Sequence, residues 1–283
     1  MFSSKAIMVK LSYGHGAGTL EILLLRMVFA LPVYLCSILL SKNSRADFRK
    51  GDIFWILFFG IIGYYLASYF DFLGLRYIKA GLERLVLFVY PSLVIIIGYV
   101  LLKKPILKRQ VTAIIITYLG LVVVLYADLD ISTGDQVLLG AFLVFLSALT
   151  YAGYLVGSGW MIPRLGVVPF TAYCMTVSCL MVIAHYYLEG NSTKQILELP
   201  KEVLWIGVLM ALVATIIPSY LISYAIKGLG SSRFAIFASL GPVSTIVLAY
   251  IFLGEKLSLL QFIGGVIIVG GVIYGEKKKA KRN

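Results

Sequence analysis

Two stretches of this 283-residue chain align without a gap when one is displaced 151 positions along the other. Tyr69 then falls on Tyr220, Pro91 on Pro242, Tyr99 on Tyr250, Gln110 on Gln261 and Gly120 on Gly271. Both stretches consist almost wholly of apolar runs, and a helix needs about 20 such residues to cross a bilayer. A membrane protein built from two repeats with an odd number of helices each must insert them upside down relative to each other. That arrangement is known from secondary transporters, with the binding site at the repeat interface. The fold class expected is therefore an all-α integral membrane protein, a ten-helix bundle of two inverted five-helix repeats. The repeats are expected over 1–136 and 137–276, with a basic tail at 277–283.

Composition excludes a soluble domain. The chain is 60% hydrophobic and 13% charged, where a soluble domain carries about 25% charged residues. Nine full spans are expected, at about 19–41, 53–75, 80–102, 110–127, 137–161, 167–188, 202–226, 231–253 and 258–275. A short apolar piece, Met1 to Tyr13, precedes them. Its repeat counterpart starts near Val137, which places a full first helix near position −14. Roughly one and a half to four turns are then absent, through a misassigned start or a short first helix. The three cysteines, Cys36, Cys174 and Cys179, all stand in apolar runs and read as small packing residues.

The net charge of +12 is a topology signal rather than a nucleic-acid footprint, because the basic residues cluster in short loops. With both ends in the cytoplasm, the inner segments hold Lys42, Arg45, Arg49, Lys50, Lys103, Lys104, Lys108, Arg109, Arg164, Lys227, Arg233 and the run Lys277 to Arg282. The outer loops hold only Arg76, Lys79, Lys194, Lys201 and Lys256, and one of them carries Asp128, Asp130 and Asp135. The positive-inside rule then places both termini inside, in a bacterial inner membrane.

The second half carries Gly230 to Pro242, then Leu253-Gly254-Glu255-Lys256-Leu257, then Gln261, Gly264, Gly265, Gly270 and Gly271. A helix with a central proline, a Gly-Glu-basic turn and a glycine-rich last helix resembles the EamA type of the drug/metabolite transporter superfamily. The pattern recurs around Tyr90-Pro91 and Leu119-Gly120, with Lys103-Lys104-Pro105 in place of the Gly-Glu turn. Phe2 to Ile7 and Leu25-Arg26 resemble family members too. The resemblance covers the whole chain. It implies transport of a small metabolite, with export as the direction it favours, and it leaves the substrate open.

Ionisable groups inside a membrane cost at least about 2.5–3.5 kcal/mol each at its centre. Here they are Lys5, Lys10, Glu21, Arg26, Asp71, Glu83 and Arg84, all in the first half. Their second-half counterparts are apolar where Asp71 meets Ile222, Glu83 meets Phe234 and Arg84 meets Ala235. Lys5, beside Ser4, is the leading substrate-binding candidate: a buried ammonium holds a carboxylate or exchanges a proton. The alternative is a pair with Asp71 or Glu83. Arg26 reads as an interhelical tie, and Glu83 with Arg84 as a helix-end pair. Asp71, Glu83 and Lys5 are candidate carriers of a coupling proton.

Two stripes complete the candidate site. Thr215, Ser219 and Ser223 stand at i, i+4 and i+8, with Tyr220 and Tyr224 one step round; Tyr64, Ser68 and Phe72 match them, with Tyr65 and Tyr69. They read either as two walls of a central cavity or as interhelical hydrogen bonds worth about 0.6 kcal/mol each. Tyr151 and Tyr154 add an aromatic wall. Pro91 and Pro242 break the hydrogen-bond ladder mid-span and are candidate gating points. The glycines of the last helix are assigned to close helix packing. No metal site, cofactor or phosphate loop is expected. The expected partners are a small-molecule metabolite and membrane lipid, with no nucleic acid, and the oligomeric state is left open. Two rival classes are an intramembrane enzyme on lipid-linked groups, with Asp71 and Glu83 as its acids, and a non-transporting scaffold or sensor.

Overall fold

The computed structural model describes residues 2–41, 49–103, 108–126, 134–231, 234, 241–255 and 258–276. Every regular element among them is helical. In chain order they are α1 (Phe2–Gly14), α2 (Thr19–Leu40), α3 (Lys50–Gly60), a π-helical segment (Ile61–Leu66), α4 (Ala67–Gly74), α5 (Ala80–Leu87) and α6 (Tyr90–Leu102). There follow α7 (Lys108–Tyr126), α8 (Gly134–Leu165), α9 (Val167–Leu188), α10 (Thr193–Leu197), α11 (Lys201–Ala211), a second π-helical segment (Leu212–Ile216), α12 (Ile217–Leu229), α13 (Gly241–Leu253) and α14 (Leu259–Glu276).

Among the described residues, six helical stretches are long and apolar enough to cross a membrane: Thr19–Leu40, Gly51–Gly74, Ala80–Leu102, Asp135–Leu165, Val167–Leu188 and Lys201–Leu229. The remaining expected spans correspond to α7, α13 and α14, the last with a shorter apolar stretch at Leu259–Tyr274. Large apolar side chains such as Leu39, Leu40, Val100, Leu188, Trp205 and Leu259 point outward. In water so extensive an exposed apolar surface is a liability; in lipid it is the solvent-matched face.

Several elements keep the spacing seen in the sequence. The bounds of α3 and α11 differ by 151 at both ends, as do those of α6 and α13, and the two π-helical segments start 151 apart. Each π segment coincides with a local feature. In the second, Thr215 Oγ1 donates to the carbonyl of Met210 at 2.9 Å, five residues back. In the first, the backbone at Gly63 lies against the Tyr154 ring, where a Cβ would overlap the ring carbons. Such π bulges frequently sit at functional positions.

Pro91 acts as its chemistry requires. It stands in the first turn of α6, where its missing N–H costs nothing, and the long span is broken at Phe88 and Val89. Gly166 alone separates α8 from α9 at φ +87, a conformation that favours glycine. The glycine-rich helix packs closely on α7. A Cβ on Gly120 would stand 2.9 Å from the Gly264 carbonyl oxygen, and one on Gly271 2.8 Å from Thr117 Oγ1. Gly270, by contrast, faces open space.

Gly63→Ala is expected to destabilise the protein by about 1–3 kcal/mol, because Tyr154 cannot retreat from a packed core. Gly98→Ala, where nothing lies within 4 Å of an added Cβ, is the matched control. Equal thermal unfolding midpoints for the two variants in detergent would show that the close approach at Gly63 is not required.

Candidate functional site

The buried charges gather around one aromatic ring. Lys5 of α1 lies 2.6 Å from Asp71 Oδ2 of α4, and its ammonium stands 5.9 Å from the centre of the Phe72 ring. The Arg26 guanidinium of α2 stands 5.0 Å from the same centre. Arg26 Nη2 donates to Ser68 Oγ at 2.7 Å. Asp71 and Glu83 are fully buried and Arg26 is 2% exposed. Glu83 sits 3.7 Å from the Nε of adjacent Arg84, and its carboxyl lies against that of Asp71. Sequence analysis left Lys5 between a substrate ligand and a partner of Asp71; the structure brings Lys5 and Asp71 into contact.

A polar layer crosses the bundle beside this cluster. Ser68 and Ser219, 151 residues apart, are both tied to α2: Ser68 through Arg26, and Ser219 through Tyr34 Oη at 2.9 Å. Ser219 Oγ also donates to the Ile216 carbonyl at 2.8 Å. Ser223 accepts from Thr171 Oγ1 at 2.7 Å. The stripe Thr215, Ser219 and Ser223 is thus engaged in hydrogen bonds within the bundle. Tyr220 is half-buried, its ring 5.9 Å from that of Tyr34. Tyr154 is fully buried, stacked on Phe170 at 6.0 Å and on Tyr151 at 6.2 Å, with Tyr64 edge-on at 5.0 Å. The buried Tyr64 hydroxyl has that of Tyr154 beside it, Tyr154 also has Ser158 and Ser223 beside it, and Tyr220 has Ser37.

Tyr65 and Tyr69 turn away from this layer. Tyr65 Oη lies 3.1 Å from His185 Nδ1, and His185 Nε2 lies 3.0 Å from Glu189 Oε1. The Tyr69 ring packs edge-on against His185 at 5.0 Å. Tyr69 also lines a pocket of about 220 Å³ at the end of the bundle, with Glu21, Arg76, Tyr186, Glu189 and Asn191. The pocket and the charged cluster are separated by Tyr13, whose hydroxyl is 3.1 Å from Thr19 Oγ1 and donates to the Phe72 carbonyl at 2.5 Å.

Among the contacts that join the halves, two lie near opposite ends. At the pocket end, Glu255 accepts from the backbone N–H groups of Ala80 and Gly81 at 3.1 and 3.2 Å, where the positive pole of α5 favours an anion. The continuous span from α3 to α4 puts Asp52 at the far end. There Asp52 accepts from the Arg49 N–H at 3.0 Å and pairs with Arg164 of α8. Ser4, half-buried, precedes Lys5 on α1. Pro242 is the second residue of α13, and its side chain lies outside the described residues. The sequence reading missed the cap by Glu255, the Tyr13 barrier and the His185 chain. It noted the Gly-Glu turn, but nothing in the spacing ties that turn to Ala80. Among the described residues no group of three or more His, Cys, Asp or Glu side chains is arranged to hold a metal.

An all-helical membrane bundle with charges buried in its interior defines an integral membrane protein of the transporter kind. The chain belongs to the EamA-like transporter family: the sequence model of that family matches residues 1–126 and again residues 138–274. It is 30% identical over 287 aligned residues to the uncharacterized transporter YcbK of Bacillus subtilis (strain 168), covering 99% of this chain and 92% of that one. The uncharacterized transporter YyaM of the same organism is 24% identical, over 81% of this chain and 75% of its own. A solved crystal structure superimposes with a TM-score of 0.68 at 15% identity, covering 96% of this chain and 94% of that chain. That likeness speaks for the fold alone.

Proposed function

We propose that the protein is a secondary transporter of ten helices in two inverted repeats. It moves a small polar metabolite, with an amino acid or a related compound as the leading class, across the inner membrane by alternating access. Export is the direction favoured by the family resemblance, and both termini lie in the cytoplasm on the charge bias of the loops. The observation that carries the reading is the buried charge cluster around Phe72 in a chain matched twice by a transporter family. A shared scaffold does not need charges that only one half possesses, and in a membrane such charges mark solute or ion pathways.

In this reading the solute sits between the Lys5–Arg26–Asp71 cluster and the hydroxyls of Tyr64, Tyr154 and Tyr220. Lys5 and Asp71 exchange partners with the solute or a coupling proton, and Glu83 is the second candidate proton carrier. The breaks at Pro91 and Pro242 absorb the bend between states. The equal spacing of α3 with α11 and of α6 with α13 supports the repeat. Asp71 and Glu83, the acids an intramembrane enzyme would use, are fully buried, and Asp71 is engaged with Lys5, which speaks for the transporter.

The test is to express the full-length chain and compare metabolites in the medium and in the cells with those of an empty-vector strain. One or a few polar metabolites should shift between the compartments. Unchanged profiles on both sides, with the protein present in the membrane, would leave a scaffold or sensor as the better reading.

A further inference from the structure

Arg26 is buried and has no acidic partner among the described residues. Its Nη2 donates to a neutral hydroxyl, Ser68 Oγ, and its Nε makes no hydrogen bond at all. The ionisable groups acting on it are Tyr34, Cys179, Asp71 and Tyr64. Asp71 is the single acid among them, and that carboxylate is 2.6 Å from Lys5. The cluster thus holds three cations, Lys5, Arg26 and Arg84, against two carboxyls, Asp71 and Glu83: Lys5 faces Asp71 and Arg84 faces Glu83, which leaves Arg26 over. The positive charge left over sits on a side chain that stays charged in proteins and presents a planar fork suited to carboxylate and phosphate.

An unpaired buried ion is expensive, and so is a buried donor left without an acceptor. The favourable face of Phe72 offsets only a small part of this, about 2 kcal/mol when desolvated. A tie between helices needs no charge, since a neutral amide bonds a serine equally well. We infer that Arg26 is the recognition group for an anionic substituent, a carboxylate or a phosphate, on the transported solute. The inference rests on the transporter reading and deepens it: in this structure Lys5 is paired with Asp71, so Arg26 is the cation that first meets the solute's anionic group, and the Lys5–Asp71 pair is left to exchange with the solute or a coupling proton. Position supports it. Arg26 lies two turns, about 10 Å, along α2 from Thr19, and Thr19 lines the end pocket and meets the Tyr13 barrier. Tyr13 bonds both Thr19 of the pocket and the carbonyl of Phe72, the residue whose ring faces Arg26.

The experiment uses purified full-length protein in detergent: wild type, Arg26→Gln, Arg26→Lys and Ser68→Ala. Thermal unfolding is recorded alone and with matched acid and amide pairs: glutamate and glutamine, lactate and lactamide, benzoate and benzamide, with inorganic phosphate as the other anion. Without additives, Arg26→Gln should unfold about 3 °C or more above wild type, because it removes an uncompensated buried charge. At least one acid, or phosphate, should stabilise the wild type where its amide does not. Arg26→Gln should weaken that response about 30-fold or more, and Arg26→Lys should retain part of it.

A wild type that treats every acid like its amide and ignores phosphate overturns the proposal. So does an Arg26→Gln protein that unfolds earlier, as Ser68→Ala does, since Arg26 is then a structural tie or the ligand of a buried water. Flux in liposomes separates this from the wider reading. Anion binding without flux of any solute sinks the transporter and leaves the anion site. Flux of a solute without an acidic group, undiminished in Arg26→Gln, sinks the anion site and leaves the transporter.

Discussion

Lys5→Ala is expected to abolish solute movement while the chain still inserts. The substitution leaves Asp71 fully buried opposite an empty position, and removing one partner of a buried pair costs about 3–5 kcal/mol. The carboxylate will escape that cost by taking up a proton, so the variant should reach the membrane with a lowered unfolding midpoint. The double variant Lys5→Ala, Asp71→Asn separates structure from transport. It removes both charges, so most of the lost stability should return through coupling between contacting residues. Solute movement should stay at least about 100-fold below wild type, because an exchangeable ion pair cannot be replaced by an uncharged one. Transport restored together with stability in the double variant would reduce the pair to a structural tie. Wild-type rates in a well-expressed Lys5→Ala would remove Lys5 from the site altogether.

Much of this was legible in the sequence, and the reasons for the gaps are physical. The apolar runs announced membrane helices because lipid forces backbone groups to bond within a segment. The break in the expected span 80–102 was legible from Pro91, since a proline has no N–H to give. Charge cost made the buried cluster visible as a set, Lys5, Arg26, Asp71, Glu83 and Arg84. The pairing inside that set was not legible, because sequence spacing says nothing about which helices adjoin. Arg26 was therefore read as a tie, and Lys5 was left between a solute ligand and a pair with Asp71 or Glu83; the geometry ties Arg26 to Ser68 and pairs Lys5 with Asp71. The π segments also escaped. They coincide with a hydroxyl reaching back five residues and a ring pressed against Gly63, and neither leaves a periodic trace. The serine stripe of α12 was found, yet its partners on α2 and α9 came only with the fold.

Glu255→Gln and Arg164→Gln are expected to shift the molecule in opposite directions. Each breaks one contact between the halves: Glu255 holds the first turn of α5 at the pocket end, and Arg164 holds Asp52 at the far end. Alternating access requires that the two ends open in turn. A contact present in one state and absent in the other biases the equilibrium by its own free energy. A hydrogen bond to a charged group contributes about 1.5–3 kcal/mol. Glu255 is only half-buried, so the lower value applies, which is about a tenfold change in population. Labelling reads this directly. In a Cys36→Ser background, the remaining cysteines, Cys174 and Cys179, are buried. A reporter cysteine at Leu73 lines the pocket, and one at Ser231 lies beside Gly159, toward the Arg164 end of α8. Glu255→Gln should speed maleimide labelling at position 73 about tenfold and slow it at 231, and Arg164→Gln should do the reverse. Faster labelling at both positions in both variants would mean that each substitution only loosens the bundle, and the two contacts would then be joints rather than opposed latches.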